Sequence, residues 1–254
     1  MFFASLSPRS PKNRVSTRLN RSPVFFASLA VGVAAIALTA RIAPAVTTGN
    51  LLTDPGFETQ PLTSYVNVLA PPYLTNIWGD EVSTIVGATG GVSPAGGVKM
   101  LSMTTDGLVA TQTFQVVDVS AFSAPINAGL ATADLSALFN VDKNLAAAKA
   151  EVSLQFYDSS HTIIGGSGVG VLTLDANPAT WEQISANGVS VPVNTNYLLA
   201  QVLYINSTMN DAAGVNQPGF VDDAKLTLTT TPEPASLGLF ALAALGMLRV
   251  RRAR

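Results

Sequence analysis

His161 is the only histidine of the chain, and it sits in YDSSHTIIG beside Asp158, Ser159 and Ser160, the residue types of an acyl-transfer triad. A triad converges from separate elements, whereas four neighbours in one turn share a single side of any substrate. The run therefore reads as a surface turn. Sixteen carboxylates make some acid pair inevitable, yet glycoside hydrolysis needs two of them facing a cleft, and no spacing singles such a pair out. The glycines of GGSGVG, 165–170, lack the lysine and helix start of a phosphate loop and read as a hairpin turn. There is no cysteine, which removes disulfides, thiolate metal sites and cysteine nucleophiles together. Aromatic rings remain, because a flat ring can cover the C–H face of a sugar. The candidates are Tyr65, Tyr73, Trp78 and Trp181. Trp181 stands at a strand start and is expected in the core. Trp78, in LTNIWGDE beside a Pro71-Pro72-Tyr73 turn, is the better exposed, so Trp78 and Tyr73 are the expected ligand-binding pair.

The charges around these residues are strongly segregated. Of fourteen basic residues, six precede position 45 and four are Arg249, Arg251, Arg252 and Arg254. The middle holds four lysines, no arginine and all sixteen acids, a net charge of −12. Such a body cannot neutralise phosphates, and nucleic acid is excluded as a partner.

Both ends read as addresses. A basic stretch to Arg21 precedes the apolar run VFFASLAVGVAAIAL, 24–38, and then Ala43-Pro44-Ala45 or Leu38-Thr39-Ala40 offers small residues for signal peptidase. Fifteen apolar residues fall short of the ~20 that a membrane span needs. Residues 1–45 are thus expected to be a cleaved signal peptide with a helical core. At the other end Pro232 and Pro234 prevent helix before Ala235. Residues 235–248 are apolar or small, a helix of only ~21 Å against a hydrocarbon core of ~30 Å. The four terminal arginines would stay cytoplasmic by the positive-inside rule. This is a short stop-transfer helix, with the body outside and the tail inside.

That terminus resembles the PEP-CTERM sorting signal of bacterial proteins handled by exosortase: Pro232-Glu233-Pro234, a short apolar helix at 235–248, and an arginine-rich end at 249–254. Thr231 stands where the family usually has Val or Ile. The resemblance implies export, transient retention in the inner membrane and processing near the motif. The protein would then reach the cell surface or the extracellular polysaccharide matrix.

Between the addresses the texture is β. VATQTFQVVDV (109–119) and AEVSLQFYDS (150–159) alternate, and YLLAQVLYIN (197–206) is more continuously apolar, as a central strand would be. VSTIVGA (82–88), VKMLSM (98–103), VGVLTL (169–174), WEQISA (181–186) and GFVDDAKLTLT (219–229) complete the set, divided by Gly, Pro and Asn. The alanine-rich region 128–149 is read as a strand through 130–139 followed by a loop. The expected fold is an all-β sandwich forming one domain at 46–230, with the sorting signal at 231–254.

The edges of this body, NLLTDPGFE (50–58) and FVDDAKLTL (220–228), together with TWEQIS, resemble the galactose-binding-like jelly rolls of secreted carbohydrate-binding modules. The resemblance implies a jelly roll whose two chain ends lie close together. It further implies a structural Ca2+ held by Glu58 and Asp222, with Asp223 turned to the opposite face; the alternative is an unoccupied pair of surface carboxylates. The resulting expectation is a non-catalytic exported protein that contacts exopolysaccharide. The competing expectations are a structural or adhesive surface protein without a specific ligand and, last, a glycan hydrolase.

Overall fold

The computed structural model describes residues 44–59, 73–80, 83–104, 110–145, 148–205 and 209–232. All of these lie in one compact unit, Ile42–Pro234. The expected signal segment before residue 44, Glu233, Pro234, the expected helix at 235–248 and the terminal arginines lie outside the described residues, as does Tyr65. Among the described residues no helix is long and apolar enough to cross a membrane.

Among the described residues eleven strands build two antiparallel sheets. They are β1 (Val46–Thr47), β2 (Gly79–Asp80), β3 (Ser83–Val86), β4 (Met100–Met103), β5 (Ala110–Asp118), β6 (Ala131–Val141), β7 (Lys149–Tyr157), β8 (Ile163–Thr173), β9 (Glu182–Ser190), β10 (Tyr197–Ile205) and β11 (Gly219–Thr230). A 3₁₀ turn (Ser120–Phe122) and the single-turn helix α1 (Ser123–Asn127) link β5 to β6. The first sheet runs β3-β4-β11-β6-β9, with β1 added beside β11; the second runs β2-β5-β10-β7-β8. This is the expected all-β jelly-roll sandwich.

Alternation puts the core between the sheets. Leu198, Ala200, Val202 and Tyr204 of β10 face inward beside Phe156, Leu154, Val152 and Ala150 of β7. They meet Ala133, Leu135, Ala137 and Phe139 of β6 and Leu226 and Leu228 of β11. The ring of Tyr204 packs edge-on to that of Phe139, centroids 5.7 Å apart. Its hydroxyl lies 2.8 Å from the carbonyl oxygens of both Asn140 and Phe220, so the one buried phenol of β10 is satisfied by the opposite sheet.

Most strands fall where the pattern expects them, and the strand read at 130–139 is β6, which runs from Ala131 to Val141. Two local expectations need correction. GGSGVG is not a hairpin turn: Gly165–Gly170 runs inside β8, and the turn lies before it, at Asp158–Thr162. The glycine is needed because β8 passes close to β9; a Cβ on Gly170 would overlap the backbone of Ser185. Asp223 does not point away from Asp222. A bulge between Asp222 and Lys225 breaks the alternation, so Val221 and Ala224 both reach the core while Asp223 is left in the left-handed region at φ 45°.

Candidate functional site

The two edge segments of the body meet at the bulge. Asn50 accepts the N–H of Leu226 through Oδ1 and donates from Nδ2 to the carbonyl of Ala224, which fastens the segment before Glu58 along β11. The segment then turns. Asp54 accepts the N–H groups of Glu58 and Thr59 on its two carboxylate oxygens, and the Phe57 N–H reaches the Asp54 carbonyl at 3.1 Å. Phe57 drops into the core from this turn, and the N–H of Ala224 donates to the carbonyl of Pro55. Glu58, Asp222 and Asp223 thereby surround Gly56. A Cβ there would lie 3.7 Å from Oδ1 of each aspartate and 3.9 Å from Cγ of Glu58. The two edge segments of the body do converge.

What the carboxylates hold is a piece of the chain itself. The β3–β4 connection, residues 87–99, folds back over the outer side of the first sheet. Its Val92 fills a small apolar cluster with Met100 and Phe220, against which Trp181 and Val86 pack. Met100 and Phe220 neighbour the core residues Leu101 and Val221, so they face away from the sandwich interior. Asp222 Oδ2 accepts the N–H groups of Ala95 and Gly96 at 2.8 and 3.1 Å, and its Oδ1 accepts the Asp223 N–H at 2.8 Å. Glu58 Oε1 accepts those of Val98 and Lys99 at 2.8 and 3.1 Å. Trp181 adds an indole N–H to the carbonyl of Ser93, so it pins the strap instead of entering the main core as expected. Gly97 sits at φ 58° with Glu58 pressed against it, and any side chain there would collide with the carboxylate. Asp222 is fully buried; burial pushes its carboxyl up to about 6, against the pull of the backbone N–H donors and with the help of the adjacent Asp223 charge.

This donor set does not fit calcium as arranged. A Ca2+ ion takes six to eight oxygens. Here three oxygens of the expected ligands already face five backbone N–H groups, the charge pattern of an anion site. Among the described residues no group of three or more His, Cys, Asp or Glu side chains is placed to hold a metal ion.

The expected sugar platform divides in two. Trp78 is not at the surface. It has no exposure, its ring packs against Phe57 with centroids 5.0 Å apart, and its indole N–H reaches the carbonyls of Thr53 and Asp54 at 3.0 and 3.2 Å. Gln115 from β5 brackets the same Thr53, donating to its carbonyl and accepting its N–H. A tryptophan whose single donor is satisfied by a chain-end turn is a core plug, and Trp78 is withdrawn as a ligand contact.

Tyr73 does remain exposed, at 37 %. Its ring stacks on His161, centroids 3.9 Å apart and planes 15° apart, and His161 stacks in turn on Tyr197 at 4.6 Å and 20°. The histidine is thus half-buried between two rings, not a free surface histidine. The triad reading also fails on geometry: Asp158 Oδ1 accepts the N–H groups of Ser160 and Thr162, which spends the carboxylate on the turn. Tyr197 opens β10 on the outer side of the second sheet, in register with Tyr157 on β7 and Asp118 on β5.

Along that outer side runs a row of uncharged polar groups. Ser153 donates to Gln201 Oε1 at 2.7 Å, Gln201 donates to Gln112 Oε1, and Tyr157 donates to Gln155 Oε1 at 2.7 Å. Phe114, Val116 and Leu199 lie between them. Beyond Ser153, Glu151 is held above the usual carboxylate range by burial, partly offset by Lys149. Sequence reading missed His161, Tyr197 and the amide row. The alternation of β7 contained part of the signal: Ser153, Gln155 and Tyr157 stand at every second position, a polar row on one sheet face.

Past the last residue of β11, comparison with known families decides what the terminus is. Residues 230–252 match the PEP-CTERM protein-sorting motif. The chain carries a PEP-CTERM sorting motif. The motif implies export and exosortase-mediated sorting, and its start coincides with the end of β11 at Thr230, so the body passes directly into the signal. No curated protein matches the chain. Solved structures with a similar fold include TmCBM61 in complex with β-1,4-galactotriose, at 15 % identity and TM-score 0.44, covering 70 % of this chain and 98 % of that one. The CBM22-1 xylan-binding domain of Xyn10C from Paenibacillus barcinonensis matches at 10 % identity and TM-score 0.43, covering 74 % and 99 %. The C-terminal family 22 carbohydrate-binding module of Clostridium thermocellum Xyn10B matches at 14 % identity and TM-score 0.40, covering 60 % and 83 %.

Proposed function

We propose that this is an exported, non-catalytic protein of the bacterial cell surface or extracellular matrix, whose jelly roll contacts polysaccharide on the outer side of its second sheet. Signal peptidase and exosortase are its processing partners, and the segment at 235–248 anchors it transiently in the inner membrane. The PEP-CTERM motif at 230–252 carries the reading of location. Tyr73 carries the reading of activity: a residue left 37 % exposed and stacked on two further rings, a flat surface of the kind that takes the C–H face of a sugar.

Affinity electrophoresis tests the activity. The mature protein from culture supernatant is run through gels containing xylan, β-1,4-galactan or the producing bacterium's own exopolysaccharide. Retardation by at least one of them is expected, and unchanged mobility in all three would contradict the reading. A second reading, a structural or adhesive protein, is favoured by one observation. Strand β8 carries no charge and exposes Ile163, Val169, Val171 and Leu172 at an edge of the second sheet. Concentration-dependent self-association by light scattering would favour it.

A further inference from the structure

We propose that His161 and Tyr197 are positioning residues that hold Tyr73 in a prestacked three-ring column, and that the outer ring of this column takes the face of an uncharged pyranose. The inference rests on the polysaccharide reading above and names the groups that would make the contact. The three rings come from distant parts of the chain: the segment before β2, the β7–β8 turn and the first residue of β10. Their stacking is therefore a tertiary arrangement and not a by-product of local sequence.

The turn that delivers His161 is built for the purpose. Asp158 accepts the N–H groups of Ser160 and Thr162 on Oδ1, its own N–H donates to the Thr162 carbonyl, and the His161 N–H donates back to the Asp158 carbonyl. This closed turn keeps His161 at φ 61°, a left-handed backbone uncommon for a residue with a side chain. Tyr73 is also left-handed, at φ 49°. Two unfavourable backbone conformations meeting at one ring contact mark a place where the surrounding structure enforces the geometry.

The consequence is an aromatic surface whose orientation is fixed before binding. One face of Tyr73 lies on His161, while 37 % of the residue stays open. A free surface tyrosine would lose rotamer freedom on stacking against a sugar; a tyrosine already stacked loses less. The charges nearby narrow the ligand class. Asp118 lies in register with Tyr197, and Asp158 anchors the turn that carries His161, so two acidic side chains stand beside the column. A phosphate or a uronic acid would be repelled, and an uncharged ring would not.

The test uses the mature protein from culture supernatant, with the producing bacterium's exopolysaccharide and hydroxyethylcellulose, a neutral polymer, as probes in affinity electrophoresis. Tyr73→Ala and His161→Ala are each expected to weaken retardation about tenfold in the apparent constant, equivalent to about 1.4 kcal/mol. His161→Phe, which keeps a ring in the sandwich, is expected to restore binding to within about twofold, while the melting temperatures of all three variants stay near that of the parent. If Tyr73→Ala loses binding and His161→Ala does not, the positioning role is overturned and the polysaccharide reading stands. Failure of His161→Phe to rescue would likewise overturn it. Retardation by alginate, a polyuronate, equal to that by hydroxyethylcellulose would overturn the uncharged class. If the parent protein binds neither probe, nor xylan nor β-1,4-galactan, the polysaccharide reading itself falls and takes the column with it.

Discussion

The two sheets use their outer sides in opposite ways. On the first, Glu58 and Asp222 turn their carboxylates onto five backbone N–H groups, four of them in the 87–99 strap, and the apolar residues beneath are covered by Val92. On the second, Tyr73, His161 and Tyr197 turn their rings onto one another, and part of the outermost ring is left in water. A polar group whose partners are all internal holds structure together. A stacked aromatic surface that keeps part of its area in water is available to something else. The contrast assigns fastening to the acids and contact to the rings, and each side of it can be tested.

The largest effect is expected in the core that lies between the two sheets. Trp78→Ala should destabilise the body by about 3–5 kcal/mol, as loss of a fully buried large side chain does. Urea denaturation measures it. A variant that stays as stable as the parent but loses polysaccharide binding would return Trp78 to the surface.

Next comes pH. In the folded state Asp222 keeps its proton up to about 6, whereas in the unfolded chain it loses it near the ordinary value of 3.8. The folded state therefore binds more protons between these values, and stability falls as pH rises through them. This contribution is fully present below about pH 4 and gone above about pH 6; a displacement of this size corresponds to roughly 3 kcal/mol. Glu151, also raised, acts in the same direction. Denaturation curves between pH 4 and 7 should show the decline, and Asp222→Asn should remove most of it. A stability that rises over that range would contradict the burial of the group.

A smaller loss should follow from Glu58→Gln, about 1–2 kcal/mol, since two charge-assisted bonds to the strap become neutral ones. Hydrogen exchange at Val98 and Lys99 should quicken while the amides of β10 keep their protection. Uniform loss of protection would mean that the strap is not a separate unit. Smallest of all, millimolar calcium should leave the melting temperature unchanged, because the ion would have to displace the N–H donors. A rise of several degrees, abolished by Glu58→Gln, would restore the two residues to the role that the jelly-roll resemblance implies.

The strands were legible because their patterning is a property of sequence: β5 and β7 alternate, and β10 is a continuous apolar run of the kind a central strand carries. The meeting of Glu58 with Asp222 was legible through the edge motifs alone. Its purpose was not, because the backbone N–H groups that occupy the two carboxylates carry no sequence signature. Asp223 was misplaced because a bulge breaks alternation without a residue type that announces it. Trp78 was misplaced for a related reason. A loop position beside Pro71 and Pro72 speaks for exposure, but the carbonyl of Thr53, twenty-five residues away in sequence, decides where the indole goes. The ring column needed three segments to meet, and no single-sequence pattern joins Tyr73 to His161.

Everything assigned to the outer surfaces presumes that they face the outside of the cell, and intact mass spectrometry of the protein from cytosol, membrane and supernatant fractions tests that most directly. The account predicts a supernatant species that has lost residues 1–45 and the segment beyond the Pro232-Glu233-Pro234 motif. Recovery of the full-length chain from the cytosol alone would contradict it.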